Sequence, residues 1–303
     1  MNSYFPVRLI PDNTKIDFMG IRYFNMIISF LMLLVSIFFI STKGLNFGID
    51  FKGGTIIEAK LQQAADLTPL YQTLEKLQLG EIHIQNIDSN NIMIKLGIDE
   101  NSDQIKNISK LKETLNDYFK GEIEYSKIDF VGPQVGSELI KDGLLAMLFS
   151  FAGIMLYIAF RFEWQYGLGI IIALIHDTIF TLGFMSITGL EFSLTSIAAI
   201  LTVIGYSVND SVVIYDRIRE NILKYKRISG NEMINLSINE TLSRTILTVV
   251  TTLISTAALV FFGGDSLFSF SVTVFFGIMV GTYSSIYISA PILIHLGIKK
   301  FLR

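Results

Sequence analysis

The sequence has no cysteine, which rules out both a disulfide framework and a thiolate metal site. It has no G-x-x-x-x-G-K-[ST] loop, so the chain itself is not a P-loop ATPase, and no H-E-x-x-H pair for a zinc site. Charge is scarce as well: 17% of residues are Asp, Glu, Lys or Arg and the net charge is −3, which gives no basic footprint for nucleic acid. No cofactor and no metal are expected. What fills the chain is hydrocarbon, with 51% hydrophobic residues and a mean hydropathy of +0.52. That is too apolar and too clustered for a soluble globular domain and reads as an integral membrane protein embedded in the lipid bilayer.

Six segments approach or exceed the roughly 18-residue apolar length of a spanning helix: 23–40, 143–160, 167–187, 193–215, 246–262 and 269–294. The first lacks a small-residue cleavage pattern and reads as a retained helix. Orientation follows from the basic residues, which mark short cytoplasmic segments. Arg8, Lys15 and Arg22 precede the first helix, Arg161 follows the second, Arg217 to Arg227 follow the fourth, and Lys299, Lys300 and Arg303 end the chain. The short loops near Glu191 and Asp265 carry neither Lys nor Arg. Both termini are therefore expected in the cytoplasm and residues 42–140 on the far side.

Within 42–140 the pattern changes to that of a small α+β domain. Thr55–Leu61, Ile82–Ile87, Ile92–Leu96 and Ile123–Phe130 alternate with period two, as half-buried strands do. Helical patterns at 68–79 and 102–119, capped by Thr68 and Ser102, separate them, and Asp88–Asn91 makes the middle turn. Strand, helix, strand, strand, helix, strand is the ferredoxin-like order. The chain thus divides into 1–41, the N-terminus with the first helix; 42–140, the far-side domain; and 141–303, five further helices with a cytoplasmic amphipathic loop at 216–244 that Gly230 breaks in two. Gly277 and Gly281 have the spacing that lets two helices approach closely, with internal packing as the plainest use.

Asp210 lies in the apolar fourth segment, where a carboxylate costs about 2.5–3.5 kcal/mol and usually marks an ion or proton route. Arg244, at the start of the fifth segment, is a candidate counter-charge. It is equally readable as a snorkelling anchor or as the i,i+4 partner of Glu240. His176 and Asp177 lie near the middle of the third segment and form either a proton relay or a hydrogen-bonding link to a neighbouring helix. Thr202, Tyr206, Ser207 and Asn209 supply hydroxyls and an amide to the same interior. An intramembrane aspartyl protease would need two close carboxyls sharing a proton, and neither Asp177 nor Asp210 carries a Gly-x-Gly-Asp context. A non-enzymatic role is expected.

Four separated motifs bring a family into view: GLNFGIDFKGGTIIE at 44–58, VGPQVGSEL at 131–139, His176-Asp177, and VIGYSVNDSVVIYDRIREN at 203–221. Together they resemble the SecF family, inner-membrane accessory subunits of bacterial protein export, over almost the whole chain. The motif positions include Gly48, Asp50, Gly53, Gly54, Gly132, Pro133 and Gly136. The resemblance implies a fold related to the resistance-nodulation-division transporters, with six helices here and six in a SecD partner. It implies a periplasmic location for 42–140 and proton-motive-force-driven help to the late stage of export through SecYEG, after SecA has pushed the substrate in. It also implies that Asp210 and Arg244 serve proton use, with a further acidic residue supplied by SecD. Two other readings compete: a proton- or sodium-coupled exporter of small molecules or lipids, and a structural assembly factor whose charges only hold subunits together.

Overall fold

The computed structural model describes residues 11, 14–62, 67–77, 79–80, 82–87, 90–97, 104–225 and 227–297, apart from the side chains at 68, 104, 133–135 and 265–266. The Thr68 side chain, the Ser102 cap, residues 88–89 of the expected turn, Arg8 and the C-terminal basic residues fall outside the described residues, and the Thr68 backbone is already helical rather than a cap, because the helix includes Leu67.

The first apolar segment forms α1 (Arg22–Thr42), followed by a two-residue strand β1 (Asn46–Phe47) and a single helical turn α2 (Ile49–Lys52). The α+β domain then runs β2 (Gly54–Leu61), α3 (Leu67–Glu75), β3 (Ile82–Asn86), β4 (Asn91–Gly97), α4 (Gln104–Tyr118) and β5 (Ile123–Val131). Its strands pair antiparallel in the order β3-β4-β2-β5, which is the expected ferredoxin-like arrangement. Alternation supplies the reason. Ile57, Ala59 and Leu61 of β2 and Ile92, Ile94 and Leu96 of β4 all point to one face, where Leu70, Leu74, Leu111 and Leu115 of the two helices bury them.

The membrane part continues with α5 (Pro133–Arg161), α6 (Trp164–Thr188), β6 (Glu191–Phe192), α7 (Leu194–Lys224), α8 (Gly230–Phe262) and α9 (Gly264–Ser284). A π-turn (Ser285–Ser289) carries α9 into α10 (Ala290–His295) without a break, giving six candidate spans among the described residues. Pro133 opens α5, where its missing N–H costs nothing, so residues 133–140 belong to a membrane helix rather than to the domain. The stretch 216–244 is helical but is no separate amphipathic loop: α7 extends to Lys224 and α8 begins at Gly230. Gly230 starts a helix instead of breaking one, because Ser229 and Glu232 form a capping box on either side of it.

Burial sorts the helices. About half of the apolar windows of α6 (56%), α7 (50%) and the final span (44%) is buried inside the chain, against 11% for α1 and α5 and 17% for α8. The first three form the inner layer, and the others leave broad apolar faces for lipid or a partner. At the end carrying the N-terminus, residues 14–19 strap across α8: Asn239 Oδ1 accepts from Ile16 N and Asn235 Oδ1 from Met19 N, both at 2.9 Å.

Candidate functional site

Asp210 sits on the inner face of α7, only 6% exposed. Its Oδ1 accepts from the Thr245 hydroxyl of α8 at 2.8 Å, and its Oδ2 accepts from the Ser285 hydroxyl at the start of the π-turn. Both ligands are neutral hydroxyls, and among the described residues no cation pairs with this carboxylate.

A second buried acid lies beside it. Asp177 of α6 is wholly buried; its Oδ2 accepts from Ser207 at 2.6 Å and Ser284 at 2.8 Å, and its Oδ1 meets His176 Nδ1 at 3.0 Å. The helical hydrogen-bonding reading of His176 and Asp177 is thus realised, since Asp177 binds both α7 and α9. His176 Nε2 has no partner among the described residues, and its ring stacks on Phe180 with centroids 5.5 Å apart. A buried ring nitrogen left without a partner costs free energy.

Close approach makes the cluster possible. A Cβ on Gly277 would land on the Val203 side chain, and one on Gly281 would lie 3.0 Å from Ser207 Cβ. The two glycines therefore let α9 press against α7, the internal packing role expected of their spacing. At the far end of the π-turn, Tyr215 bonds Ser289 through both its hydroxyl (2.6 Å) and its carbonyl (3.0 Å).

Other sequence candidates point elsewhere. Arg244 is exposed on α8 and forms no ion pair with Asp210; Thr245, the next residue, occupies that place. Nor does Arg244 pair with Glu240, whose Oε2 accepts instead from Arg217 at 2.7 Å and Asn221 at 2.6 Å. Thr202 and Asn209 are exposed on the outer face of α7, and Thr202 bonds back to the Ala198 carbonyl. Tyr206 is half-buried beside Thr248 and Thr252. So only Ser207 of that polar group converges on the acids. Sequence reasoning missed Thr245, Ser284 and Ser285. The signal available was the Tyr-Ser-Ser run at 283–285, polar inside an apolar span.

The glycine-rich motif builds a clasp where the C-terminal end of α6 meets the N-terminal end of α7. β1 pairs parallel with β6, joining Asn46 to Glu191 and Phe47 to Phe192. Gly48 N donates to Phe192 O at 2.8 Å, and a Cβ on Gly48 would strike Glu191. Asp50 Oδ2 accepts from Leu194 N, the first residue of α7, at 3.0 Å. Gly53 takes a positive φ of 80° that only glycine adopts freely. Side chains at Gly54 or Gly136 would collide with the Leu96 and Phe51 carbonyls, respectively, while Gly132 caps α5 just before Pro133. Lys95 of β4 closes the clasp by pairing with Glu191 at 2.8 Å.

Comparison with known proteins agrees with this architecture. Residues 110–299 match the family described as "Protein export membrane protein SecD/SecF, C-terminal", and residues 38–65 match the "SecD/SecF GG Motif". The chain is 56% identical over 298 residues to a protein translocase subunit SecF of Rickettsia bellii, covering 98% of each chain. It is 54% identical to the SecF of Rickettsia prowazekii, covering 98% of this chain and 96% of that one. The crystal structure of SecDF, a translocon-associated membrane protein from Thermus thermophilus, superposes with a TM-score of 0.79 at 35% identity, over 95% of this chain and 39% of that longer one. A multi-pass membrane protein with this motif order, these relatives and this fold belongs to the SecD/SecF family of protein export membrane proteins, on its SecF side.

Proposed function

We propose that the chain is a proton-motive-force-driven accessory subunit of the Sec translocon, acting with a SecD partner on the late stage of polypeptide passage through SecYEG after the SecA-driven step. It works in the bacterial inner membrane, with both termini cytoplasmic and the ferredoxin-like domain periplasmic. Its relatives' shared name as translocase subunits supports the process, and the basic-residue asymmetry supports the orientation. Its role is mechanical rather than enzymatic.

The observation that carries the proton reading is Asp210, 6% exposed in the bundle and, among the described residues, bound by hydroxyls alone. The chemistry follows from donor counting. An ionised carboxylate only accepts, so Ser285 spends its one proton on Asp210. Protonated on Oδ2, Asp210 donates to the Ser285 oxygen, and Ser285 turns its own O–H to the Thr282 carbonyl, 2.9 Å away. Ser285 opens the π-turn, and such turns inside α-helices are frequent at functional sites. One proton thereby changes how α7 and α9 are held together, a two-state element biased by proton binding.

Arg244 has a place in this reading. An exposed guanidinium on an apolar helix needs a counter-charge, and α8 is among the least self-buried helices. Arg244 meets an acidic residue of SecD across the subunit interface, one position from the Thr245 that grips Asp210. The test is to replace Asp210 by Asn in the intact complex and compare assembly with gradient-stimulated export. The proposal expects normal assembly and lost stimulation. Lost assembly would favour the structural assembly factor instead.

A further inference from the structure

We infer that Asp50 is a positioning residue: its carboxylate ties the start of the acid-bearing helix α7 to the central strand of the periplasmic domain and passes the state of Asp210 to that domain. The inference rests on the proton reading of Asp210 and adds the path by which it reaches the far side.

The first N–H groups of a helix lack internal partners, and a negative charge there is favoured by the helix dipole. Ser193 and Ser196 satisfy each other in the local cap, which leaves the Leu194 N–H for an outside acceptor. Asp50 supplies it at 3.0 Å, from 144 residues away in sequence. The backbone that carries the carboxylate is constrained. It belongs to a four-residue helix, α2, between Gly48, which leaves no room for a Cβ against Glu191, and Gly53, fixed at φ 80°. The Phe47, Phe51 and Phe192 rings pack with centroids 5.6–6.0 Å apart and set the spacing of the two sides. One residue past Gly53 the chain enters β2, which is paired on both sides, with β4 and β5. Lys95 on β4 grips Glu191 from the other flank.

Leu194 and Asp210 lie on one continuous helix, about 24 Å apart at the ordinary helical rise. A rigid rod held at Leu194 and repacked around Asp210 moves its gripped end, and through Asp50 that movement enters the sheet. Without Asp50 the β1–β6 pairing and the Lys95–Glu191 ion pair remain, but the direct bond to the first turn of α7 is gone.

The test uses the complex reconstituted in bilayers, with spin labels at Lys120 in the domain and Phe262 at the far-side end of α8, both exposed. Asp210→Asn, a neutral stand-in for the protonated acid, is expected to shift the distance between the labels. In an Asp50→Ala background the same replacement is expected to leave that distance unchanged, and exchange of the Leu194 amide should rise about five- to tenfold, as for loss of one hydrogen bond. Asp50→Asn keeps an oxygen acceptor and should restore much of the response. A shift from Asp210→Asn that persists in Asp50→Ala, with folding confirmed by unchanged complex yield, overturns the inference, as does the absence of any shift in the parent chain. Export measured on the same samples separates the two ideas. Gradient-insensitive export alongside an Asp50-dependent shift leaves the link standing and removes the proton-driven reading.

Discussion

Asp177 and Asp210, on different helices, are bound by consecutive residues of a third: Ser284 donates to Asp177 at 2.8 Å and Ser285 to Asp210. The two acids thus share a single turn of α9, at the point where it becomes a π-turn. Movement of that turn affects both at once.

Removing either hydroxyl should therefore be costly and should act on coupling. Ser285→Ala leaves an oxygen of Asp210 unsatisfied, a penalty of about 1–3 kcal/mol for a buried acceptor. We expect lower thermal stability in detergent and impaired gradient stimulation for Ser284→Ala and Ser285→Ala. Because the serines act on one turn, the double variant should lose less than the sum of the singles. Strictly additive losses, read by a double-mutant cycle of export rates, would mean the acids respond independently.

The glycine contacts give a stability prediction. Gly277→Val forces a branched side chain into Val203, and overpacking of this kind costs about 1–3 kcal/mol. Gly205, with open space at its Cβ, is the control: Gly205→Ala should leave the melting temperature of the free subunit nearly unchanged. Equal effects at both positions would deny the close packing of α9 on α7.

Much of this was legible beforehand. Period-two alternation located all four strands of the domain, and apolar length located all six spans, because both patterns repeat over many residues. Asp210 stood out since charge in hydrocarbon is rare. The Asp210–Arg244 pair was the misreading: sequence places the two at similar depth but says nothing of angle. One residue turns a helix by about 100°, so when Thr245 faces inward Arg244 faces out. The clasp was invisible for another reason, since two-residue strands and a four-residue helix carry no period to detect.

Arg244 should consequently behave as an interface residue. Arg244→Met is expected to weaken co-purification of SecD more than Asp210→Asn does. Full retention of the partner by Arg244→Met, with only export lost, would place Arg244 in the proton pathway itself.

The N-terminal strap makes a pH prediction outside the membrane. The Asn235 side-chain amide, bonded to Asp17 at 2.7 Å, and the Gly20 N–H hold the Asp17 carboxyl below its ordinary value of 3.8. A lowered folded value means the stabilisation is present above the unfolded pKa and is lost as pH falls through the folded one. Protease protection of residues 14–19 should decline below about pH 4 in the parent chain. In Asp17→Asn it should be weaker and insensitive to pH over that range. An acid transition unchanged in Asp17→Asn would assign it to another group.

Since the chain has no cysteine, single cysteines report topology without background. Lys120→Cys should react with an impermeant maleimide from the periplasmic side and Ser229→Cys only from the cytoplasmic side. The reverse pattern would overturn the orientation drawn from the basic residues.

The central claim is that Asp210 collects the energy of a proton gradient for export. Its most direct test is late-stage translocation into vesicles at fixed membrane potential, with the proton and sodium gradients varied separately, in the parent complex and in Asp210→Asn. The account predicts stimulation that follows the proton gradient, ignores sodium and disappears in the variant. Stimulation that follows sodium alone, or that survives Asp210→Asn, would contradict it.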